Sequence, residues 1–212
     1  MRIIAGTKRG MKLFSPKTLD SRPITDRVKE SLFDVLCNYG LPDGAAVADL
    51  FCGVGSLGLE ALSRGAEFVT FVERGRRVAD TLERNIEKAG FVKDCKVIRA
   101  DAFKAGAPPA AAAARISNFE SRISNVQKYD LVFVDPPYAD TSDVVVGSPL
   151  GRLLGLLQEQ VTDDGLVVVR TGHRTTLADR YGRFEVIERR RWGTMMVSIL
   201  RKSEKEIQNP KH

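Results

Sequence analysis

Two histidines and three cysteines are all that this 212-residue chain offers to a soft metal, and Cys37, Cys52 and Cys95 stand far apart with no CxxC spacing. That argues against a zinc site or a disulfide framework, so no metal is expected, and all three cysteines read as buried small hydrophobic residues in a reducing compartment. Long apolar runs are missing too. None approaches the roughly 18 residues of a membrane span, and the first residues lack the basic-then-apolar pattern of a secretory leader. The expected location is therefore the cytoplasm.

Hydrophobic residues make up 43% of the chain and charged residues 28%, enough for one α/β domain with a real core but not for two. The formal net charge of +6 is unevenly spread. Residues 1–36 hold eight Lys/Arg against four Asp/Glu, residues 37–173 hold fifteen against eighteen, and residues 174–202 hold eight against three. Basic flanks around a slightly acidic middle suit a polyanionic partner, because a cation placed on a phosphate releases condensed counterions.

From residue 46 onward, short β-branched runs alternate with amphipathic segments, the pattern of a parallel sheet covered by helices. Strands are predicted at Ala46–Phe51, Phe68–Glu73, Lys96–Ala100, Tyr129–Asp135 and Gly165–Thr171. Helices are predicted at Ser56–Ser63, Arg76–Lys88 and Leu150–Gln160. Phe184–Arg191 and Met195–Arg201, separated by Trp192-Gly193-Thr194, read as an antiparallel hairpin added to the sheet edge. Before residue 46, Met1–Ile4 and Met11–Phe14 read as short strands, followed by a helix from Thr25 to Asn38. The expected organisation is a small N-terminal appendage over 1–45, a main α/β domain over 46–202 and a polar tail over 203–212. Residues 104–128, with Pro108-Pro109 and five consecutive alanines, read as an inserted flexible loop with some helix.

The first main strand runs into Asp49-Leu-Phe-Cys-Gly53-Val-Gly55-Ser-Leu-Gly58 and then a helix. Glycines there let a nucleotide-like ligand approach bare backbone, and Gly53, Gly55 and Gly58 match GxGxxG, a pattern shared with NAD enzymes. Glu73 ends the second strand twenty residues after Gly53, where a carboxylate can accept both hydroxyls of an adenosine ribose. Asp49 favours S-adenosylmethionine as the cofactor, since a carboxylate suits the amino-acid part of a cationic sulfonium ligand and sits poorly beside a pyrophosphate; the other reading of Asp49 is a cap for the following turn. Asp101 follows the third strand and is a candidate acceptor for the adenine amino group, with Ala102 lining the same pocket; its other reading is a plain turn residue. Phe51 and Arg74, beside Asp49 and Glu73, are further cofactor-binding candidates.

The most specific element is Asp135-Pro136-Pro137-Tyr138, closing the apolar strand from Leu131. The lone pair of an exocyclic base amine is delocalised into the ring, so a catalyst must favour the form in which it is available. Two acceptors on its two N–H bonds do that: the Asp135 carboxylate and the Pro136 carbonyl, held rigidly by the prolines, with the Tyr138 ring as a stacking platform.

At these residues the sequence resembles the bacterial 16S ribosomal RNA guanine-N2 methyltransferases of the small ribosomal subunit. The resemblance lies in Met1-Arg-Ile-Ile-Ala-Gly6 with Arg9-Gly10, in Arg22-Pro-Ile-Thr-Asp-Arg27-Val-Lys-Glu-Ser-Leu-Phe33, in the stretch Asp49–Gly65 and in Phe133-Val-Asp-Pro-Pro-Tyr138. The glycine loop and the Asp-Pro-Pro-Tyr motif are general to amino-methyltransferases, whereas the Arg-Pro-x-Thr-Asp-Arg segment points to this family. The resemblance implies a Rossmann-like class I methyltransferase fold, S-adenosylmethionine as donor, and a 16S RNA guanine within a partly assembled small subunit as target. It also implies that Arg22, Thr25, Asp26 and Arg27 lie over the target base. Residues 104–128 are longer and richer in alanine than the linker usual in that family. Other readings of the same motifs are an adenine-N6 methyltransferase, an NAD-binding oxidoreductase and a non-catalytic RNA-binding factor. Nothing in the sequence indicates an obligate oligomer, so a monomer is expected.

Overall fold

The computed structural model describes residues 1–15, 24–109, 128–141 and 143–203, and of Tyr138 the backbone alone. Five strands run parallel: β1 (Ala46–Leu50), β2 (Phe68–Val72), β3 (Cys95–Ile98), β4 (Tyr129–Val134) and β5 (Val161–Gly172). β6 (Arg180–Tyr181), β7 (Phe184–Trp192) and β8 (Met195–Lys202) extend the sheet antiparallel, giving the order β3-β2-β1-β4-β5-β8-β7-β6. The helices among the described residues are α1 (Asp26–Cys37), α2 (Ser56–Ser63), α3 (Arg76–Ala89), α4 (Ala102–Ala105) and α5 (Pro149–Gln160). None is long and apolar enough to cross a membrane.

Alternation along the central strands sends side chains to two separate cores. Val47, Phe71, Leu131, Phe133, Leu166 and Val168 face the side covered by α1, α2 and α3. Ala48, Leu50, Val132, Val134, Val167 and Val169 face the side where Leu150, Leu153, Leu154 and Leu157 of α5 pack. Asp49 therefore follows Val47, and Asp135 follows Phe133, onto the α1–α3 side. This alternation brings two acidic strand ends to one place.

The N-terminal segment is clamped onto α2 and α3. Ile4 and Ala5 donate their amides to the two oxygens of the fully buried Glu60 carboxylate at 2.7 and 3.0 Å. Asn85 of α3 accepts the Phe14 amide at 2.7 Å and donates to the Phe14 and Val54 carbonyls. Lys29 of α1, 1% exposed, meets Glu60 at 3.1 Å, and burial lowers its pKa against the opposing pull of that carboxylate. Removing one partner of such a buried pair generally costs about 3–5 kcal/mol.

Several expectations need correction. The two N-terminal strands pair through the Ile3–Met11, Gly10–Ile3 and Leu13–Met1 backbone bonds but reduce to a single antiparallel bridge between Arg2 and Lys12, and the next two amides, those of Ile4 and Ala5, go to Glu60. β1 stops at Leu50 because Phe51 takes a positive φ of 57°. β5 starts at Val161, and the two-residue turn of the hairpin is Gly193-Thr194, with Trp192 inside β7 opposite Met195. Cys37 is exposed and Cys95 half-buried; of the three only Cys52 is fully inside. α4 occupies the start of the expected insertion, and most of the remainder of 104–128 lies outside the described residues, as does 204–212.

Candidate active site

The chain leaves β1 through a strained corner. Phe51 at φ 57° is in the left-handed region, unusual for a bulky residue and typical of functional corners, and its ring packs on Phe103 with centroids 4.7 Å apart. Gly53 and Gly55 follow at φ 58° and 86°. The three motif glycines do different work. A Cβ at Gly53 would meet nothing within 4 Å, so its bare backbone faces open space, whereas a Cβ at Gly55 would come within 2.4 Å of Leu82 and one at Gly58 within 2.3 Å of Phe71. Gly55 and Gly58 thus serve close packing of the loop and of α2 on the sheet.

Acidic side chains hold this loop. Asp49, 1% exposed, accepts the Gly58 amide at 2.8 Å, capping α2 from the neighbouring strand because the N-cap residue Gly55 has no side chain to do so. Burial pushes the Asp49 carboxyl up to about 7; the Gly58 bond opposes that, and the charges of Asp135 and Glu73 add to it. Glu73 accepts the Gly53 amide at 3.1 Å with one oxygen and the Gly75 amide at 2.6 Å with the other. Each carboxylate oxygen has a second lone pair for a ligand.

Asp135 lies at the tip of β4, one place beyond the pairing of Val134 with Val169, and its carboxylate is bonded by the Nε of Arg170 at the end of β5. Burial raises its pKa and Arg170 lowers it. Pro136 is buried, Pro137 is exposed, and the backbone of Tyr138 begins a 3-10 turn to Thr141; the Tyr138 ring lies outside the described atoms.

These tips open into one cavity of about 870 Å³, in the range of small-ligand sites. Asp49, Phe51, Gly53, Glu73, Arg74, Ala102, Asp135, Pro136 and Pro137 line it; Gly55, Gly58 and Asp101 do not. Asp101 caps α4, accepting the Phe103 amide at 3.0 Å, while its neighbours Ala100 and Ala102 form the wall. At the rim, Ile24 lines the cavity just before α1, whose N-cap is the exposed Thr25. Asp26 is held by Arg2 at 2.7 Å, Arg27 is exposed, and Arg22 lies outside the described residues.

Sequence reasoning missed three charged or titratable cavity residues, Arg170 near the end of β5 and His173 and Arg174 just past it. Arg170, His173 and Arg174 line the opening, with Thr194 of the hairpin turn, whose carbonyl accepts the His173 amide at 3.0 Å. A legible signal existed only for Arg170, a charge interrupting the apolar run Leu166–Val169. The donor set fits a cationic, adenosine-containing ligand: carboxylates at the tips of β1 and β2, a bare glycine backbone between them and an aromatic corner. At the start of α2 the Asp49 carboxylate already takes the Gly58 amide and sets a negative charge there, which disfavours a phosphate.

A family model described as "Conserved hypothetical protein 95" matches residues 1–201. The chain is 33% identical over 204 residues to "Putative rRNA methyltransferase YlbH" of Bacillus subtilis, covering 95% of this chain and 99% of that one. It is 38% identical over 141 residues to "Ribosomal RNA small subunit methyltransferase D" of Escherichia coli, covering 65% of this chain and 60% of that one. Among solved structures, "Putative methyltransferase yhhF" of Escherichia coli superposes with a TM-score of 0.75 at 28% identity, over 97% of this chain and 99% of that one. With a match along nearly its whole length, the chain belongs to the conserved hypothetical protein 95 family, in line with the resemblance to which the N-terminal Arg-Pro-x-Thr-Asp-Arg segment pointed.

Proposed function

We propose that this protein is an enzyme that transfers a methyl group from S-adenosylmethionine to the exocyclic N2 of a guanine in 16S ribosomal RNA. One observation carries the reading: Asp135 and Pro136, at the tip of β4, open into the same cavity as Asp49 and the bare backbone of Gly53. The names of the relatives, an rRNA methyltransferase and a small-subunit RNA methyltransferase, support it.

When bound, the cofactor supplies a methyl group on a positively charged sulfur, whose S–C bond breaks as the new N–C bond forms. The protein's part is binding and orientation. Asp49 faces the donor's ammonium group, Glu73 the ribose hydroxyls, and Phe51 with Ala102 the adenine. Arg74 borders the ribose end, and Asp101 supports that wall through α4. Asp135 and the Pro136 carbonyl accept the two N–H bonds of the base amine, Pro137 stiffens the turn and Tyr138 stacks on the base. Holding the amine in line with the methyl replaces a bimolecular encounter, which accounts for much of the rate. The proton the nitrogen loses leaves through its bond to the Asp135 carboxylate and on to water.

Thr25, Asp26 and Arg27 at the start of α1 contact the RNA on one side of the opening, together with Arg22, which precedes them in the sequence, and the basic segment beyond β5 contacts it on the other. The protein acts as a monomer in the cytoplasm, on 16S RNA or on a small-subunit assembly intermediate. The test is to offer tritiated donor with naked 16S RNA and with small subunits, then digest to nucleosides. The label is expected on N2-methylguanosine; label on N6-methyladenosine would overturn the base assignment. Binding of NADH in place of the donor would overturn the cofactor.

A further inference from the structure

Arg170 sits where a sheet strand would ordinarily carry an apolar residue. It follows Leu166-Val-Val-Val169 near the end of β5 and is 8% exposed. Leu166 and Val168 belong to the same core as Leu131 and Phe133, so alternation turns Arg170 to the face that Asp135 occupies. The parallel register, Val134 opposite Val169, then sets the two side by side, and Nε of Arg170 bonds Oδ1 of Asp135. On the other flank β8 offers Val197, an apolar partner. A guanidinium taken out of water at a cavity wall needs a counter-charge, and its planar fork fixes a carboxylate's orientation as well as its charge.

We infer that Arg170 is a positioning residue for methyl transfer: it grips one oxygen of Asp135, keeps that carboxyl ionised, and turns the other oxygen to the base amine. This rests on the reading of Asp135 as the amine acceptor. The other charged groups lining the cavity do not substitute for it. Asp49 from β1, Glu73 after β2 and Asp140 on the 3-10 turn are acidic and can offer Asp135 no counter-charge; Arg74 lies beyond β2, and His173 and Arg174 lie past the end of β5. In the transfer the nitrogen gains the methyl and gives up one proton, which an ionised Asp135 bonded to that amine can accept and pass to water. Burial alone would raise the Asp135 pKa, and Arg170 opposes that rise.

Arg170→Met and Arg170→Lys test this by two readouts. In ligand-free protein, the 13C signal of the Asp135 carboxyl, identified by its loss in Asp135→Asn, is titrated by NMR; its midpoint is expected to rise by at least about one pH unit in Arg170→Met. In single-turnover transfer at neutral pH, Arg170→Met is expected to be slower by about tenfold or more and to recover towards pH 9 as the carboxyl ionises. Arg170→Lys should restore part of both effects, and affinity for the demethylated cofactor should change by less than about threefold above pH 8, where Asp49 is ionised and the charge of Arg170 no longer decides its state. A rate loss that is flat in pH with an unmoved carboxyl midpoint would show a merely structural ion pair and overturn the inference, as would an unchanged rate. Should Arg170→Met not fold, the two readouts on Arg170→Lys and Arg170→Gln decide in the same way. Failure of the wild type to label guanine, with the midpoint shift intact, would sink the proposed function and leave the Asp135–Arg170 coupling standing.

Discussion

Asp49 and Asp135 end adjacent strands, β1 and β4, and look into one cavity, but their partners differ in kind. Asp49 is 1% exposed and bonded to a backbone amide, that of Gly58; the Asp135 side chain is 18% exposed and bonded to a guanidinium, that of Arg170. A peptide dipole offsets part of the cost of burying a carboxylate without cancelling its charge, whereas an ion pair leaves the local charge near zero. The difference matches two ligands. An uncancelled negative charge at Asp49 suits a cationic donor, and a neutral ion pair at Asp135 suits an uncharged amine that needs an acceptor.

The largest effect is expected from breaking the Asp135 side. Asp135→Ala should lower the single-turnover transfer rate by about 10³-fold, the scale seen when one transition-state hydrogen bond is removed, with donor affinity by calorimetry nearly unchanged. Equal losses in rate and in donor affinity would mean that the two carboxylates share one role. Gly58→Ala disturbs the other side. Its Cβ would come within 2.3 Å of Phe71, so overpacking should cost about 1–3 kcal/mol in urea unfolding and displace the amide that holds Asp49. Donor affinity should then fall more than the rate at saturating donor.

A pH experiment sharpens the comparison further. With its pKa raised from 3.8 to about 7, Asp49 weakens the ligand-free fold as pH rises through that window, because the unfolded chain ionises it more readily. Donor binding is expected to have the opposite sign, since in the proposed site the ionised form would face the cation: affinity should fall about tenfold from pH 8 to pH 6, and Asp49→Asn should flatten the dependence. The smallest effect is expected at the rim. Arg27→Ala should weaken RNA binding a few-fold and reduce the salt slope by about one, with donor affinity unmoved.

How much of this was legible in the sequence depended on whether the cause was local. The parallel strands were, because apolar runs ending in Asp49, Glu73 and Asp135 carry their own signal, and so was the hairpin, although its break was read one residue too long by including Trp192. The separate duties of the three glycines were not, since only contact with Leu82 or Phe71 distinguishes Gly55 and Gly58 from Gly53. Arg170 gained its partner from the register of β5 on β4, over a sequence separation of 35 residues. Nothing local marks Lys29 and Glu60 as a pair; packing of α1 against α2 buries both. The N-terminal pairing is cut short in a similar way: after Ile3 bonds Met11, the amides of Ile4 and Ala5 turn to Glu60, 56 and 55 residues away.

The most direct test of the account is a crystal structure with the demethylated cofactor bound. It is predicted to show the amino-acid end of the ligand at Asp49, its ribose at Glu73, and the Asp135 carboxylate, still held by Arg170, turned to the space in front of the sulfur. A ligand seated elsewhere, or an Asp135 side chain directed away from that space, would contradict it.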